Sequence, residues 1–488
     1  MLDSPLPHLL QAGGDHRLVV HAETGASQYR VAAQPGDTIP FGSCTASSPS
    51  TTAFGAAETL HQHLRASDDP GREIERATLR QRKRLAALFE LPDDARIVLT
   101  PSGTDVIYLV SLLALRTASR VHHLVVGASE LGGGTMRAAR GLAISDVAPF
   151  GPSETGAPLA GLSEHCTAEP LYLREGDGAQ VDAGEVDDDL RRAGESAPPD
   201  AALVLHLVAH SKTGLRAPTT AVSQELQAQL GGRLIVIVDG AQGRLAPRDV
   251  RRALKLGFAV LVTGSKFYSG PPFSSALVLP GALAGDPGPL PASLSDWFSR
   301  DGLPRSWTEA RASLREPVNA GLALRWEAAL AEIDRYHDVA PRHRAGVYHT
   351  FAGAVHEVFG PSPVLELAVP MPPMHRLVTA LGAFPSVFCF RVRGPDGYLD
   401  KAALGRLHVE LDTDRGDEHP ALARRFHLGQ PVPLGPPEET ESAVLRVALG
   451  ARLVSDLGPT PDAGGAWLRE TLSALRRKTE HLVNEGLA

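Results

Sequence analysis

Apolar residues along the chain gather into short unbroken runs that end abruptly in polar tips, with helically spaced segments between them. The clearest run is 234–238, five apolar and mostly β-branched residues that stop at Asp239. A run of that length without alternation predicts a strand buried on both faces of a parallel sheet. A second run, 258–262, leads into Thr263, Gly264, Ser265 and Lys266. Further runs at 97–99, 121–126, 202–208 and 276–279 predict strands. Helical spacing predicts helices at 72–90, 106–115, 186–193 and 247–256. Strands alternating with helices are the signature of a parallel sheet.

The pattern changes after 319–333, a long helix containing Trp326 that is placed to bridge two domains. Strands at 386–392 and 443–449 and helices at 401–411 and 467–483 predict a smaller α+β unit. The expected class is therefore α/β, with an arm and loops over 1–70, a large mainly parallel-sheet domain over 71–330 and a small α+β domain over 331–488. Residues 151–200, rich in Gly, Pro, Asp and Glu, predict an exposed excursion. The hydroxyl-dense run 41–48, which includes Ser43, reads on composition as a surface loop. The alternative is an arm folded over a site, offering hydroxyls and amides.

Composition narrows the function classes. A net charge of −8 gives no basic footprint, so no nucleic-acid partner is expected. Cys44, Cys166 and Cys389 are too few and scattered for a disulfide framework or a zinc site, and no metal is expected. With no signal pattern at the N-terminus and no apolar run long enough for a bilayer, a cytoplasmic protein without a membrane partner is expected. The glycine fingerprints of nucleotide sites and the hydrolase motifs are missing.

The polar tips carry the chemistry. Ligands of open α/β sheets bind beyond the carboxyl ends of the strands, where Asp239 and Lys266 stand. An amine that can form a Schiff base and an acid that can pair with a pyridine nitrogen are the two groups pyridoxal phosphate requires. Taken singly, Asp239 reads as a cap and Lys266 as a solvated lysine. Ser102, Gly103 and Thr104 form a small turn between a strand and a helix, which suits an anion at the helix start or a plain N-cap. His210 and Ser211 stand at the tip of 202–208, as members of the crevice or as structural residues. Arg446 interrupts an apolar strand and needs a partner, either a substrate carboxylate held bidentately or an internal acid.

On these residues the chain resembles the fold-type I pyridoxal-phosphate enzymes, and within them the class V aminotransferase and cysteine desulfurase group, over roughly residues 70–455. Asp239-Gly240-Ala241-Gln242 resembles the group's D-x-A-Q, which implies Asp239 at the pyridine nitrogen and Gln242 near the phenolic oxygen. Thr263-Gly264-Ser265-Lys266 resembles its S-x-H-K, which implies Lys266 as the Schiff-base lysine and Thr263 and Ser265 at the phosphate. Ser102-Gly103-Thr104 resembles the phosphate turn, Thr213-Gly214 the T-G after the preceding strand, and Leu445-Arg446-Val447 the carboxylate-binding segment. Where the group stacks a histidine on the ring, only Ser129-Glu130-Leu131 stands here, which makes Glu130 the nearest counterpart. Cys389 lies in an apolar strand and not on a mobile loop, which speaks against a desulfurase nucleophile. The resemblance implies a homodimer with the site near the interface and Asn319, in the segment 316–319, reaching the partner's phosphate. It implies an amino-acid substrate and, first, an aminotransferase-like enzyme of specialised biosynthesis. The alternatives are a lyase or an elimination or replacement enzyme, and a non-catalytic sensor or partner subunit.

Overall fold

The computed structural model describes residues 2–368, 386–436, 442–458 and 461–487, with side chains in the last segment from 464 onward. The strands, in chain order, are β1 (Ile39–Phe41), β2 (Arg96–Thr100), β3 (Arg120–Val126), β4 (Cys166–Leu171), β5 (Ala201–Val208), β6 (Leu234–Gly240), β7 (Ala259–Thr263), β8 (Ser275–Leu279), β9 (Leu365–Leu367), β10 (Val387–Gly394), β11 (Phe426–Pro433) and β12 (Ala443–Ala448). The large sheet has the order β2-β8-β7-β6-β5-β3-β4. Its members run parallel from β7 to β4, while β8 is antiparallel to both β2 and β7. The second sheet has the order β1-β11-β12-β10-β9.

Every residue of β5 and β7 is buried. Alternation sends Val236 and Val238 to one face with Leu203 and Leu205, and Ile235 and Ile237 to the other with Ala202 and Val204. Helices cover both faces. Asp105–Leu115 lies on the Ile237 side, and Ala183–Ser196, Thr220–Leu230 and Pro247–Lys255 lie on the Val238 side. Burying each such Val or Leu contributes roughly 1.5–3 kcal/mol, which is why unbroken apolar runs settle in the middle of this sheet. The long helix Ala320–Asp338 carries Trp326 into the core that both sheets share.

Two expectations need correction. The run 41–48 is mostly buried and is no surface loop. β1 adds to the edge of the small sheet, and the following hydroxyls meet arginines: Ser43 Oγ accepts from Arg244 at 3.1 Å and Thr45 Oγ1 from Arg446 at 2.9 Å. The excursion 151–200 contains β4, which pairs in parallel with β3 at the sheet edge. Its sequence, Cys-Thr-Ala-Glu-Pro-Leu, has no apolar run to announce it, and Pro170 is tolerated because the strand is an edge.

Thr51–Arg65 is a helix the hydrophobic pattern did not predict. Its contact stripe is Ala53, Ala57, Leu60 and Leu64, packed against Ala320, Ala323, Leu324 and Ala328. Ser50 caps it, accepting from the Ala53 amide at 3.0 Å.

The small domain buries two histidines that form no ion pair among the described residues. His408 Nε2 lies 3.0 Å from the Leu428 carbonyl and His427 Nε2 3.1 Å from that of Ala46. Burial pushes both pKa values down to about 4. The unfolded chain binds protons first, so stability present above the ordinary histidine pKa is lost as pH falls toward the folded one. Urea unfolding should therefore lose roughly 1 kcal/mol per histidine between about pH 7 and pH 5.5. The His408→Gln, His427→Gln double variant should flatten that slope, and an unchanged slope would contradict the assignment.

Candidate active site

A cavity of about 540 Å³ opens beyond the carboxyl ends of β5, β6 and β7, with β11 and Arg446 of β12 forming its other wall. Strand alternation chooses its floor. Ile237, Asp239 and Ala241 follow one another at every second residue from β6, as do Leu261, Thr263 and Ser265 from β7, and all six line the cavity. The register sets Asp239 beside Leu261. Gly240 lets the two strands pass, since a Cβ there would lie 2.5 Å from the Leu261 carbonyl oxygen.

Asp239 Oδ1 accepts the Ala241 amide at 2.9 Å, and the carboxylate forms no ion pair among the described residues. Burial raises its pKa, against the Ala241 amide and Lys266. Lys266 also lines the cavity, and its ammonium makes no hydrogen bond or ion pair among the described residues. Burial lowers its pKa, against the pull of Asp239. An acid and an amine thus face one space, each half-buried and neither paired among the described residues.

At one end of the cavity, Ser102 Oγ accepts the amides of Thr104 at 3.2 Å and Asp105 at 3.4 Å, while Asp105 accepts the Ser102 amide at 2.7 Å. Ser102 is thus a helix cap that also lines the cavity, beside Gly103 and Thr104. The Gly103 amide meets no acceptor among the described residues, and a Cβ there would come within 3.1 Å of Leu261. Thr263 Oγ1 donates to the Ala241 carbonyl at 2.7 Å, whereas the Ser265 hydroxyl has no partner among the described residues. Arg17 reaches this end from the N-terminal arm. Its Nη2 is 3.5 Å from Ser102 Oγ, its guanidinium 4.8 Å from the centre of the Phe273 ring, and Asp15 holds its Nε at 2.9 Å. Burial works against the Arg17 charge, but Tyr29 and Asp15 more than offset it, and its pKa is raised.

At the other end stands Arg446. A β-bulge between Gly429 and Val432 of β11 turns the Gln430 carbonyl toward it. The guanidinium donates to Gln430 O at 2.8 Å, Lys212 O at 3.2 Å and Thr45 Oγ1 at 2.9 Å. It is 2% exposed and meets no carboxylate among the described residues, so no internal acid partners it there. Carbonyls hold the side chain in place but leave its charge for something in the cavity.

Several residues read from the sequence are spent elsewhere. Gln242 does not line the cavity: its Nε2 donates to the Cys44 carbonyl and its Oε1 accepts from Arg244, both at 3.1 Å. Glu130 does not face a ring. It is buried in an ion pair with Arg174 at 2.7 Å and accepts the hydroxyls of Ser211 and Thr213, so Ser211 is committed there too. His210 lies outside the lining, with Nδ1 3.0 Å from the Ser211 carbonyl and its pKa pushed down to about 3 by burial. Ser43 sits behind the wall, held by Arg244. Asn319 is the N-cap of its helix, accepting from the Leu322 amide at 2.9 Å and donating to the Gly13 carbonyl at 2.9 Å. Its side chain is committed within its own chain. Cys389 is buried, its thiol pushed up to about 12 by burial.

Sequence reasoning missed Arg17, His206, Lys212 and Lys401, all of which line the cavity. His206 did leave a signal, a lone polar side chain inside an otherwise apolar strand. It meets His123 at 2.9 Å, which in turn meets Ser111 at 3.0 Å.

No family model matches the sequence, and no curated protein matches it either. Solved structures do. The cystine C-S lyase C-DES, in complex with its reaction product cysteine persulfide, superposes with a TM-score of 0.56 at 14% identity, over 90% of this chain and 98% of that one. The Escherichia coli cysteine desulfurase CsdA gives 0.54 at 16%, over 92% and 95%. Oryza sativa TDC, solved with PLP and tryptamine, gives 0.53 at 13%, over 92% and 84%. The fold is that of the fold-type I pyridoxal-phosphate proteins.

Glu130→Ala would leave Arg174 buried without a counter-charge. It should cost about 3–5 kcal/mol in urea unfolding, with part recovered in the Glu130→Ala, Arg174→Met double variant. A loss within ~0.5 kcal/mol, the range of an ordinary surface substitution, would show that the pair does not hold the 211–214 turn.

Proposed function

We propose that the protein is a pyridoxal-phosphate-dependent enzyme that breaks a bond at the Cα of an amino acid. The observation that carries this reading is the pair of uncompensated groups, Asp239 and Lys266, on neighbouring strand tips of one cavity. The remaining lining fits the same cofactor. Ser102, Gly103, Thr104, Thr263 and Ser265 offer small residues, hydroxyls and a free amide where a phosphate would rest, and Arg17 adds a cation from the same chain. The volume suits a cofactor together with a small substrate.

When bound, pyridoxal phosphate supplies the electron sink for the pair released at Cα. The chain's own residues do the rest. Lys266 would hold the cofactor and would be the group placed to carry a proton to or from Cα; its lowered pKa suits a base. Asp239 would pair with the pyridine nitrogen. Arg446 takes the substrate carboxylate and so fixes which Cα bond is presented. The small sheet and the Cys44–Thr45 arm wall the space from the other side.

These residues serve transamination and elimination alike. Aminotransferase-like chemistry in specialised biosynthesis is the first form of the proposal. The second is a lyase, favoured by the superposition on a C-S lyase. Buried Cys389 supplies no accessible thiol for a persulfide route. A homodimer with the cavity near its interface belongs to the same proposal, although Asn319 gives it no side chain to share.

Protein supplied with pyridoxal phosphate and single amino acids in heavy water should exchange the substrate Cα proton, read by NMR, and product analysis then separates a keto acid from an eliminated fragment. Lys266→Ala should slow exchange by at least ~10²-fold. Cofactor absorption without exchange for any amino acid would favour a sensor and sink the enzyme reading.

A further inference from the structure

The cavity is lined by five cationic side chains, Arg17, Lys212, Lys266, Lys401 and Arg446, against a single carboxylate, Asp239. On the reading above, three of the five have work. Arg17 faces the phosphate end, Lys266 holds the cofactor, and Arg446 takes the α-carboxylate. Lys212 and Lys401 remain. Neither forms an ion pair with a described residue. Glu130, whose carbonyl accepts the Lys212 amide, already has its carboxylate paired with Arg174 at 2.7 Å.

Lys212 is held in position and is not a drifting surface lysine. Its amide donates to the Glu130 carbonyl at 3.1 Å, and its carbonyl accepts from Arg446 at 3.2 Å. It therefore sits at the carboxylate end, beside Arg446. Its ammonium reaches only the Ser129 carbonyl, at 3.5 Å. Lys401 opens the helix Lys401–Leu411 and stands exposed on the same rim. Burial, with Arg446 and Lys266 nearby and Glu130 offsetting only part of it, pushes the Lys212 pKa down to about 8, the expected response of a buried cation crowded by others. A neutral substrate side chain would leave that crowding in place, and a second anion would relieve it.

We propose that the substrate is an amino acid with an acidic side chain, its distal anion received by Lys212 and Lys401 while Arg446 holds the α-carboxylate. The assignment rests on the pyridoxal-phosphate reading of the cavity. Selectivity follows from charge: a site that brings two lysines toward the side chain leaves them unanswered when an apolar amino acid enters.

The test uses probes without an amine, so that binding is read apart from turnover. Calorimetry on the cofactor-loaded protein compares glutarate with butyrate, and the absorption of the Lys266-bound cofactor is recorded for every variant. Glutarate should bind at least ~10-fold more tightly. Lys212→Gln should remove that preference while leaving butyrate affinity unchanged, and Lys401→Gln should reduce it less, since an exposed charge is screened. Equal affinities in the wild type, or a preference that survives the double variant, would overturn the assignment. Loss of butyrate binding in Lys212→Gln with the absorption intact would make Lys212 a support for Arg446 and overturn it as well. Should Lys212→Gln lose the absorption, Lys401→Gln and the wild-type preference decide. A wild type without cofactor absorption would instead remove the cofactor reading, whatever the two acids do.

Discussion

The structure depends on holding an acid and an amine, both half-buried, in one cavity without letting them meet. Asp239 and Lys266 would each be cheaper in water, and a direct ion pair between them would settle part of that cost. The sheet forbids it. Alternation fixes Asp239 on one face of β6, the register sets it beside Leu261, and Lys266 follows three residues after β7 ends. The rise in one pKa and the fall in the other measure how far both are from their preferred surroundings. A ligand carrying a cationic ring nitrogen and an aldehyde answers both at once.

Keeping that arrangement takes three parts of the chain. Arg244, fully buried, binds the loop after β6 through Gln242, the arm through Ser43, and the small sheet through the Leu449 carbonyl and Ser386 Oγ. Glu130 and Arg174 form a second knot, which fixes the turn from 211 to 214 and with it the Lys212 carbonyl that steadies Arg446. Both knots sit just outside the cavity. Their polar groups pair with one another and with the neighbouring backbone, and so are not free to pair with Asp239 and Lys266.

What the sequence showed follows from how each feature is written. Buried strands are legible because both faces demand apolar residues, and a strand tip is legible because the run stops. Asp239, Lys266, Ser102, Thr104 and Arg446 therefore all reached the cavity. Direction and partnership are not written locally. Glu130, Ser211, Gln242 and Ser43 stand at the right places, but their hydrogen bonds are fixed by Arg174 and Arg244, residues distant in sequence or unremarkable in type. Asn319 shows the same limit, since a cap and a ligand-binding amide look alike until the next helix is seen. Arg17 comes from a loop-rich arm with no periodicity to place it. The helix Thr51–Arg65 hid because half of its contact stripe is alanine, and β4 hid because edge strands need no apolar run.

The central claim is that Lys266 carries the cofactor, and borohydride reduction of protein supplied with pyridoxal phosphate, followed by peptide mass mapping, tests it most directly. The account predicts a pyridoxyl group on Lys266, even though Lys212 lines the same cavity with a lowered pKa of its own. An unmodified Lys266, or an adduct confined to Lys212, would contradict it and leave the Asp239 and Lys266 tips as features of the sheet alone.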